Sequence, residues 1–220
     1  IAQFNLVGVS YGTRVGLEYL RRHPASVRTI VLDSVVPPSL ALGNEHAKNL
    51  EAAVDAQFAR CTADAGCTKR FGSPRARLDD LLQRLRQDPQ RVTYRDPLTN
   101  EQREDEFTDA SLAAVVRFHS YAPALFGMLP MLLAEAANGQ FGNLMAQSRM
   151  LEQLIGEQTS APLQLSVMCT EDAPGMRVDP ADAGTLLGTE FVEYTLAQCA
   201  VWPRGTPPKD FHGAVKSDLP

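Results

Sequence analysis

The sequence predicts an α/β chain: a strand, a helix and a second strand come first, and mainly helical material follows. A short apolar run from Phe4 to Val9 passes at once into an amphipathic stretch, the pattern of strand, tight turn and helix. Residues Val27-Arg28-Thr29-Ile30-Val31-Leu32 are β-branched and apolar, and Pro37 and Pro38 stop them, so a second strand lies there. Two strands flanking one helix are most simply parallel and joined by a right-handed crossover. From about residue 44 the apolar residues recur at helical spacing instead, with Leu50, Val54 and Phe58 on one face and Leu78, Leu81, Leu82 and Leu85 on another.

The remaining elements follow in order. In the first helix Val15, Gly16, Tyr19 and Leu20 recur at three and four residues, and Pro24 turns His23 away from helical angles, so the helix ends near Arg22. Asp80 and Arg84 are spaced to pair on a solvent face. Arg91 to Tyr94, a turn around Asp96-Pro97 and the charged stretch Glu101 to Glu106 suggest a small exposed hairpin or loop. Thr108 can cap a helix containing Leu112, Val115 and Val116. Two more apolar helices are expected near 123–137 and 143–155, punctuated by Asn138-Gly139 and Gly156. Leu163, Leu165 and Val167 alternate with Gln164 and Ser166, which predicts a strand over 163–169. A last helix over 189–199 leads into a Pro- and Gly-rich passage from Trp202 to Pro208.

A content of 44% hydrophobic and 21% charged residues is that of a globular protein. The net charge of −5 comes without any basic stripe, which argues against nucleic-acid binding. No apolar run is long enough to span a bilayer. The chain opens without Met, already inside a strand, and stops at Ser217-Asp218-Leu219-Pro220 without a closing helix, so it is read as an internal piece of a longer protein. Nothing in the sequence sets an oligomeric state.

Four cysteines, Cys61, Cys67, Cys169 and Cys199, allow three pairings. Their spacing fits two local bridges. Cys61 and Cys67 enclose a short Gly-containing loop that a disulfide can close, whereas a zinc site would want a shorter gap and a second ligand pair, so no metal site is expected. Four separate buried thiols are the alternative. Bridges imply an oxidising compartment, either secreted or periplasmic.

Gly8-Val9-Ser10-Tyr11-Gly12 matches the pattern G-x-S-x-G directly after a strand and directly before a helix, the context in which that pattern carries chemistry. A turn this sharp forces Ser10 into strained backbone angles, and Gly8 and Gly12 remove side chains that would clash. Ser10 Oγ is thereby lifted to the edge of the sheet, beside the N-terminus of the helix, where the Tyr11 amide can stabilise a tetrahedral oxyanion. The plainer reading is a Gly-rich turn with Ser as a helix cap. A serine needs a general base oriented by a carboxylate. His23 lies at the far end of the helix after Ser10, His46 and His119 fall in helical material, and nothing around His212 marks a catalytic loop. Asp33, at the end of the second strand, fits a triad acid or a turn-stabilising side chain.

With these residues assembled, the chain resembles the proline iminopeptidase and tripeptidyl-aminopeptidase-like branch of the α/β-hydrolases. The resemblance is carried by Gly8 to Thr13, Arg22-His23-Pro24 to Arg28, Val31 to Pro37, Val167-Met168-Cys169-Thr170-Glu171-Asp172 and Cys199-Ala200-Val201-Trp202-Pro203. It implies a partial α/β-hydrolase fold with a large helical cap insertion: hydrolase core over 1–40, cap over 41–210, and a return to the core over 211–220. It implies Ser10 as nucleophile, with the triad acid and histidine beyond Pro220, so that this piece alone would be inactive. The expected reaction is peptide hydrolysis near a free N-terminus, without metal or organic cofactor. Glu171 and Asp172 are the candidates to bind the substrate's α-ammonium by charge-assisted hydrogen bonds. An esterase or lipase-like hydrolase, or a catalytically silent homologue, are the alternatives.

Overall fold

The computed structural model describes residues 2–219, less the side chain of Gln158. In chain order the elements are β1 (Phe4–Val9), α1 (Tyr11–Arg22), β2 (Val27–Asp33), α2 (His46–Ala63), α3 (Ala65–Phe71), α4 (Pro74–Gln87), β3 (Gln90–Arg95), β4 (Gln102–Phe107), α5 (Asp109–His119), α6 (Pro123–Phe126), α7 (Leu129–Ala137), α8 (Gly142–Gln158), α9 (Ala161–Val167) and α10 (Glu190–Val201). They form two compact units, one of Ile1–Asn44, Pro162–Arg177 and Val192–Pro220, the other of Glu45–Ala161 and Val178–Phe191. The sequence-based boundaries differ here, because 162–177 and most of 192–210, expected in the cap, group with the strands. Among the described residues no helix is long and apolar enough to cross a membrane.

In the strand unit, β1 and β2 pair in parallel, with Leu6 opposite Ile30 and Gly8 opposite Leu32. Helix α1 lies against one face of this pair, with Gly16 facing Leu6, Ile30 and Leu32 at distances that would leave room for a Cβ in ordinary contact. A Cβ at Gly16 would sit 3.6 Å from Leu6 and 3.7 Å from Ile30 and Leu32. Val7, Val9 and Val31 alternate to the other face and are exposed. The chain returns to this unit through α9, a π-helical turn at Met168–Asp172 and most of α10. The Cys169–Cys199 disulfide joins the turn to α10, with the Cα atoms 5.0 Å apart. Trp202 Nε1 donates to Ser166 Oγ at 3.2 Å, and the Gly205 amide donates to Thr170 Oγ1 at 3.1 Å.

The strand expected over 163–169 is a helix followed by the π-helical turn. Alternation over five residues is too short to distinguish the two, and Pro162 suits the first turn of a helix, where its missing N–H costs nothing. Ser166 Oγ donates back to the Pro162 carbonyl at 2.8 Å, a bond that only helical spacing provides.

The second unit is helical around the β3–β4 antiparallel hairpin, whose position the sequence indicated. Its core is apolar and continuous, with Leu78, Leu81, Phe107, Leu112, Val115, Leu129, Leu133 and Leu144 all withdrawn from solvent. The single helix expected over 123–137 is broken into α6 and α7 at Gly127 and Met128. Thr108 caps α5 as anticipated, its Oγ1 accepting from the Ser111 amide at 3.1 Å. The Cys61–Cys67 bridge closes the turn between α2 and α3, where the Asp64 carboxylate accepts from the Cys67 amide at 2.6 Å. Both disulfides suggested by the spacing are therefore formed.

Candidate active site

The bend between β1 and α1 is as sharp as the glycine pattern requires. Ser10 holds φ 53° and ψ −126°, a conformation that non-glycine residues avoid. Three bonds fix it. The Ser10 amide donates to the Asp33 carbonyl at 3.0 Å, the Thr13 amide donates to the Ser10 carbonyl at 2.9 Å, and Thr13 Oγ1 donates to the same carbonyl at 2.6 Å. Thr13 is fully buried, and its hydroxyl also accepts the Val36 amide at 2.8 Å, which ties the bend to the exit of β2. Gly8 is indispensable, since a Cβ there would lie 2.5 Å from the Gly12 carbonyl oxygen. Gly12 is not constrained in this way: a Cβ at that position would meet nothing within 4 Å, so the clash expected there is absent.

Ser10 is exposed and Tyr11 opens α1. The first amides of a helix have no acceptor within the helix, and they lie at the positive end of its dipole. A hydroxyl next to donors that lack acceptors is the arrangement that can attack a carbonyl and stabilise the resulting oxyanion.

One turn further on, α1 carries a buried charge. Arg14 is 1% exposed, and its Nη1 donates to Glu171 Oε2 at 3.1 Å and Asp172 Oδ1 at 3.0 Å, while Nη2 donates to the Leu40 carbonyl at 2.6 Å. Asp172 is fully buried and accepts a further bond from the Leu42 amide at 2.9 Å. Glu171 keeps an accessible edge, its side chain being 16% exposed, and Oε1 accepts the Tyr11 hydroxyl at 3.0 Å. Burial, and then the Glu171 carboxylate, push the Tyr11 phenol up to about 12. The two acids expected to act alike are thus in different positions. Asp172 is committed to Arg14 and backbone, and only Glu171 can reach a ligand. A cavity of about 280 Å³ runs along this side of α1, lined by Tyr11, Val15, Tyr19, Glu171 and Phe211 among others.

Arg14 and Thr13 are the members that sequence reasoning missed. The helical spacing points to Val15, which is 52% exposed, whereas the buried face runs through Thr13, Arg14, Gly16 and Leu20. Two adjacent acids close after a bridged cysteine, where burial would call for a cation, were the available signal.

The histidines are engaged elsewhere. His23 packs on the Tyr19 ring at 4.9 Å, and His212 Nδ1 lies 2.8 Å from the Pro38 carbonyl oxygen. In the helical unit His119 is buried, which lowers its pKa, and His46 is pushed down to about 4 by burial and the Arg117 charge. The Asp33 carboxylate accepts the Ser34 hydroxyl at 3.1 Å, a bond that stabilises the turn.

Parallel strands around a crossover helix, with a strained serine at the bend, define a class. Residues 1–159 match the alpha/beta hydrolase fold family, and the chain belongs to it. Among curated proteins it is similar to the Serine protease Hip1 of Mycobacterium bovis and of two strains of Mycobacterium tuberculosis, being 25% identical to each over 96% of this chain. The chain spans 43% of the length of these relatives.

Proposed function

We propose that the protein containing this chain is a serine peptidase that cleaves peptide bonds near a free N-terminus, with Ser10 as the nucleophile. The observation that carries this reading is the backbone of Ser10, held at φ 53° on an exposed bend at the head of α1. Strain of this kind costs about 1–3 kcal/mol and persists where function requires the geometry. Similarity to a serine protease favours peptides over esters as substrates. The proline iminopeptidase and tripeptidyl-aminopeptidase-like resemblance narrows this to exopeptidase action.

In the proposed reaction Ser10 Oγ attacks the carbonyl carbon and gives its proton to a general base. The oxyanion is held by the Tyr11 amide and a second donor, and collapse breaks the C–N bond as the base protonates the leaving amine. Water then hydrolyses the acyl-enzyme by the same steps. None of these steps calls for a metal or organic cofactor. We assign the base and its carboxylate to a histidine and an acid that follow Pro220, and the cap role to the helical unit. Glu171 receives the substrate's α-ammonium. Arg14 carries one positive charge against two carboxylates, which leaves one negative charge in surplus, and Asp172 is sealed from ligand, so Glu171 presents it. The two disulfides support an oxidising compartment, secreted or periplasmic.

The test uses the full-length protein. Matched peptide anilides, one with a free α-amine and one N-acetylated, are compared with a short-chain ester. Hydrolysis of the free-amine anilide that is abolished by Ser10→Ala, and reduced towards the acetylated rate by Glu171→Gln, is expected. Preference for the ester, with equal loss on all substrates in Glu171→Gln, would assign an esterase instead.

A further inference from the structure

We propose that Tyr11 and Arg14 are positioning residues for Glu171: the Tyr11 hydroxyl and the Arg14 guanidinium clamp its carboxylate from both oxygens, and so set selectivity for substrates bearing a free α-ammonium. The inference rests on the ammonium-binding role assigned to Glu171.

A glutamate has three rotatable side-chain bonds, and an unheld carboxylate would spend most of its time pointing elsewhere. Here each oxygen has its own donor, Tyr11 Oη at 3.0 Å on Oε1 and Arg14 Nη1 at 3.1 Å on Oε2. The donors are themselves fixed. Arg14 is bound at Asp172 and at the Leu40 carbonyl, so its planar fork cannot rotate away. Tyr11 is the first residue of α1 and follows directly on Ser10, so the phenol and the nucleophile share one rigid piece of backbone. The Cys169–Cys199 bridge anchors the backbone two residues before Glu171.

The clamp leaves capacity for a ligand. An ionised carboxylate has about four acceptor positions, and the two clamping bonds occupy one on each oxygen. The remaining ones belong to the only acid of the cluster with an accessible edge. Because burial and the neighbouring anion hold the phenol up to about 12, Tyr11 stays a donor throughout the pH range in which a substrate amine is charged. A carboxylate that is already oriented does not have to lose rotamer freedom when the ammonium arrives, which is the general route by which preorganisation strengthens binding.

The experiment measures, in the full-length protein, kcat/KM for the free-amine anilide over that for its N-acetylated counterpart. Tyr11→Phe removes one oxygen and retains the ring and the backbone amide. It is expected to lower this ratio about tenfold, the size of one hydrogen bond to a charged group, mainly through KM. Arg14→Lys, which keeps the charge but loses the fork, is expected to lower it as well. Because the phenol acts through Glu171, Tyr11→Phe should lower the ratio no further when made in the Glu171→Gln background. A ratio unchanged by Tyr11→Phe while Glu171→Gln lowers it overturns the positioning role and leaves the ammonium site standing. An equal loss in both backgrounds also overturns it, since the hydroxyl would then act independently of the carboxylate. A ratio indifferent to Glu171→Gln removes the ammonium reading, and the proposal with it.

Discussion

Replacing Arg14 by Met would remove the guanidinium from between two carboxylates and keep an apolar chain in place of the aliphatic stem. At about 4 Å between charge centres, each pair contributes roughly 4 kcal/mol of attraction at an effective dielectric of about 20, most of it opposed by the cost of taking the ions out of water. The decisive quantity is what is left behind. Asp172 is 0% exposed and would retain only the Leu42 amide, at 2.9 Å, as a partner. Breaking a buried pair from one side costs about 3–5 kcal/mol for that reason, and the same is expected of Arg14→Met. Glu171, with an accessible edge, can partly rehydrate and adds less. The assay is urea denaturation of the full-length protein across a double-mutant cycle with Asp172→Leu. The double variant should recover more than half of the loss, because no uncompensated buried charge remains. If Arg14→Met costs less than about 1 kcal/mol, or the double variant loses the sum of the two singles, the cluster is not a tightly coupled buried network.

Three further outcomes are expected. Gly8→Ala places a Cβ 2.5 Å from the Gly12 carbonyl oxygen, which must displace the bend, and misplacement of that order costs about 100-fold in turnover; near-normal activity would refute the close packing at the bend. Loop-closure entropy assigns about 3.6 kcal/mol to Cys169–Cys199, which spans 30 residues, and about 2.2 kcal/mol to Cys61–Cys67, which spans 6, so paired Cys→Ser variants should shift the denaturation midpoint in that order. His46 has a folded pKa of about 4 against an ordinary 6.5, so below pH 6.5 the unfolded chain takes up a proton that the fold refuses; the penalty is absent above pH 6.5 and stability declines as pH falls towards 4. His119, also lowered by burial, contributes in the same direction. Thermal melts over this window should show the decline, and His46→Gln should reduce it; an unchanged slope would mean that the His46 pKa does not shift on folding.

The parts of the fold legible in the sequence were those written in periodicity and punctuation. Phe4 to Val9, the Gly8-to-Gly12 pattern and the Pro37-Pro38 stop sufficed for the opening unit, because each element is long enough, or sharply enough ended, to exclude its rivals. Residues 163–169 failed because five alternating residues are compatible with either structure. A strand there would have needed an edge to pair with, and the β1–β2 pair is not joined by that segment. The grouping of 162–177 and most of 192–210 with the strands was not legible for a related reason. Which unit a returning segment joins is decided by the Cys169–Cys199 bridge and the Arg14 ion pairs, contacts across more than 150 residues in the case of Arg14, and periodicity carries no information about them.

The candidate site shows the same division. The bend at Ser10 was legible because it is imposed by local backbone geometry, and the glycine two residues before it has to be glycine. Glu171 could be singled out as an acid, but its difference from the adjacent Asp172 could not be read, since the two are neighbours of one type and differ only in what surrounds them. Burial makes Asp172 an internal counter-charge; a small opening makes Glu171 available to a ligand. The hidden third member determines both. Arg14 gives no signal in the sequence because a single Arg in a helix is ordinarily solvated, yet a buried cation of this kind requires anionic partners to be brought to it, and the bridged return through Cys169 is how this chain brings them. The helix that opens at the bend is thereby tied to a segment far along the sequence, and the Tyr11 hydroxyl joins the two directly, from the residue after Ser10 to the acid carried on the return.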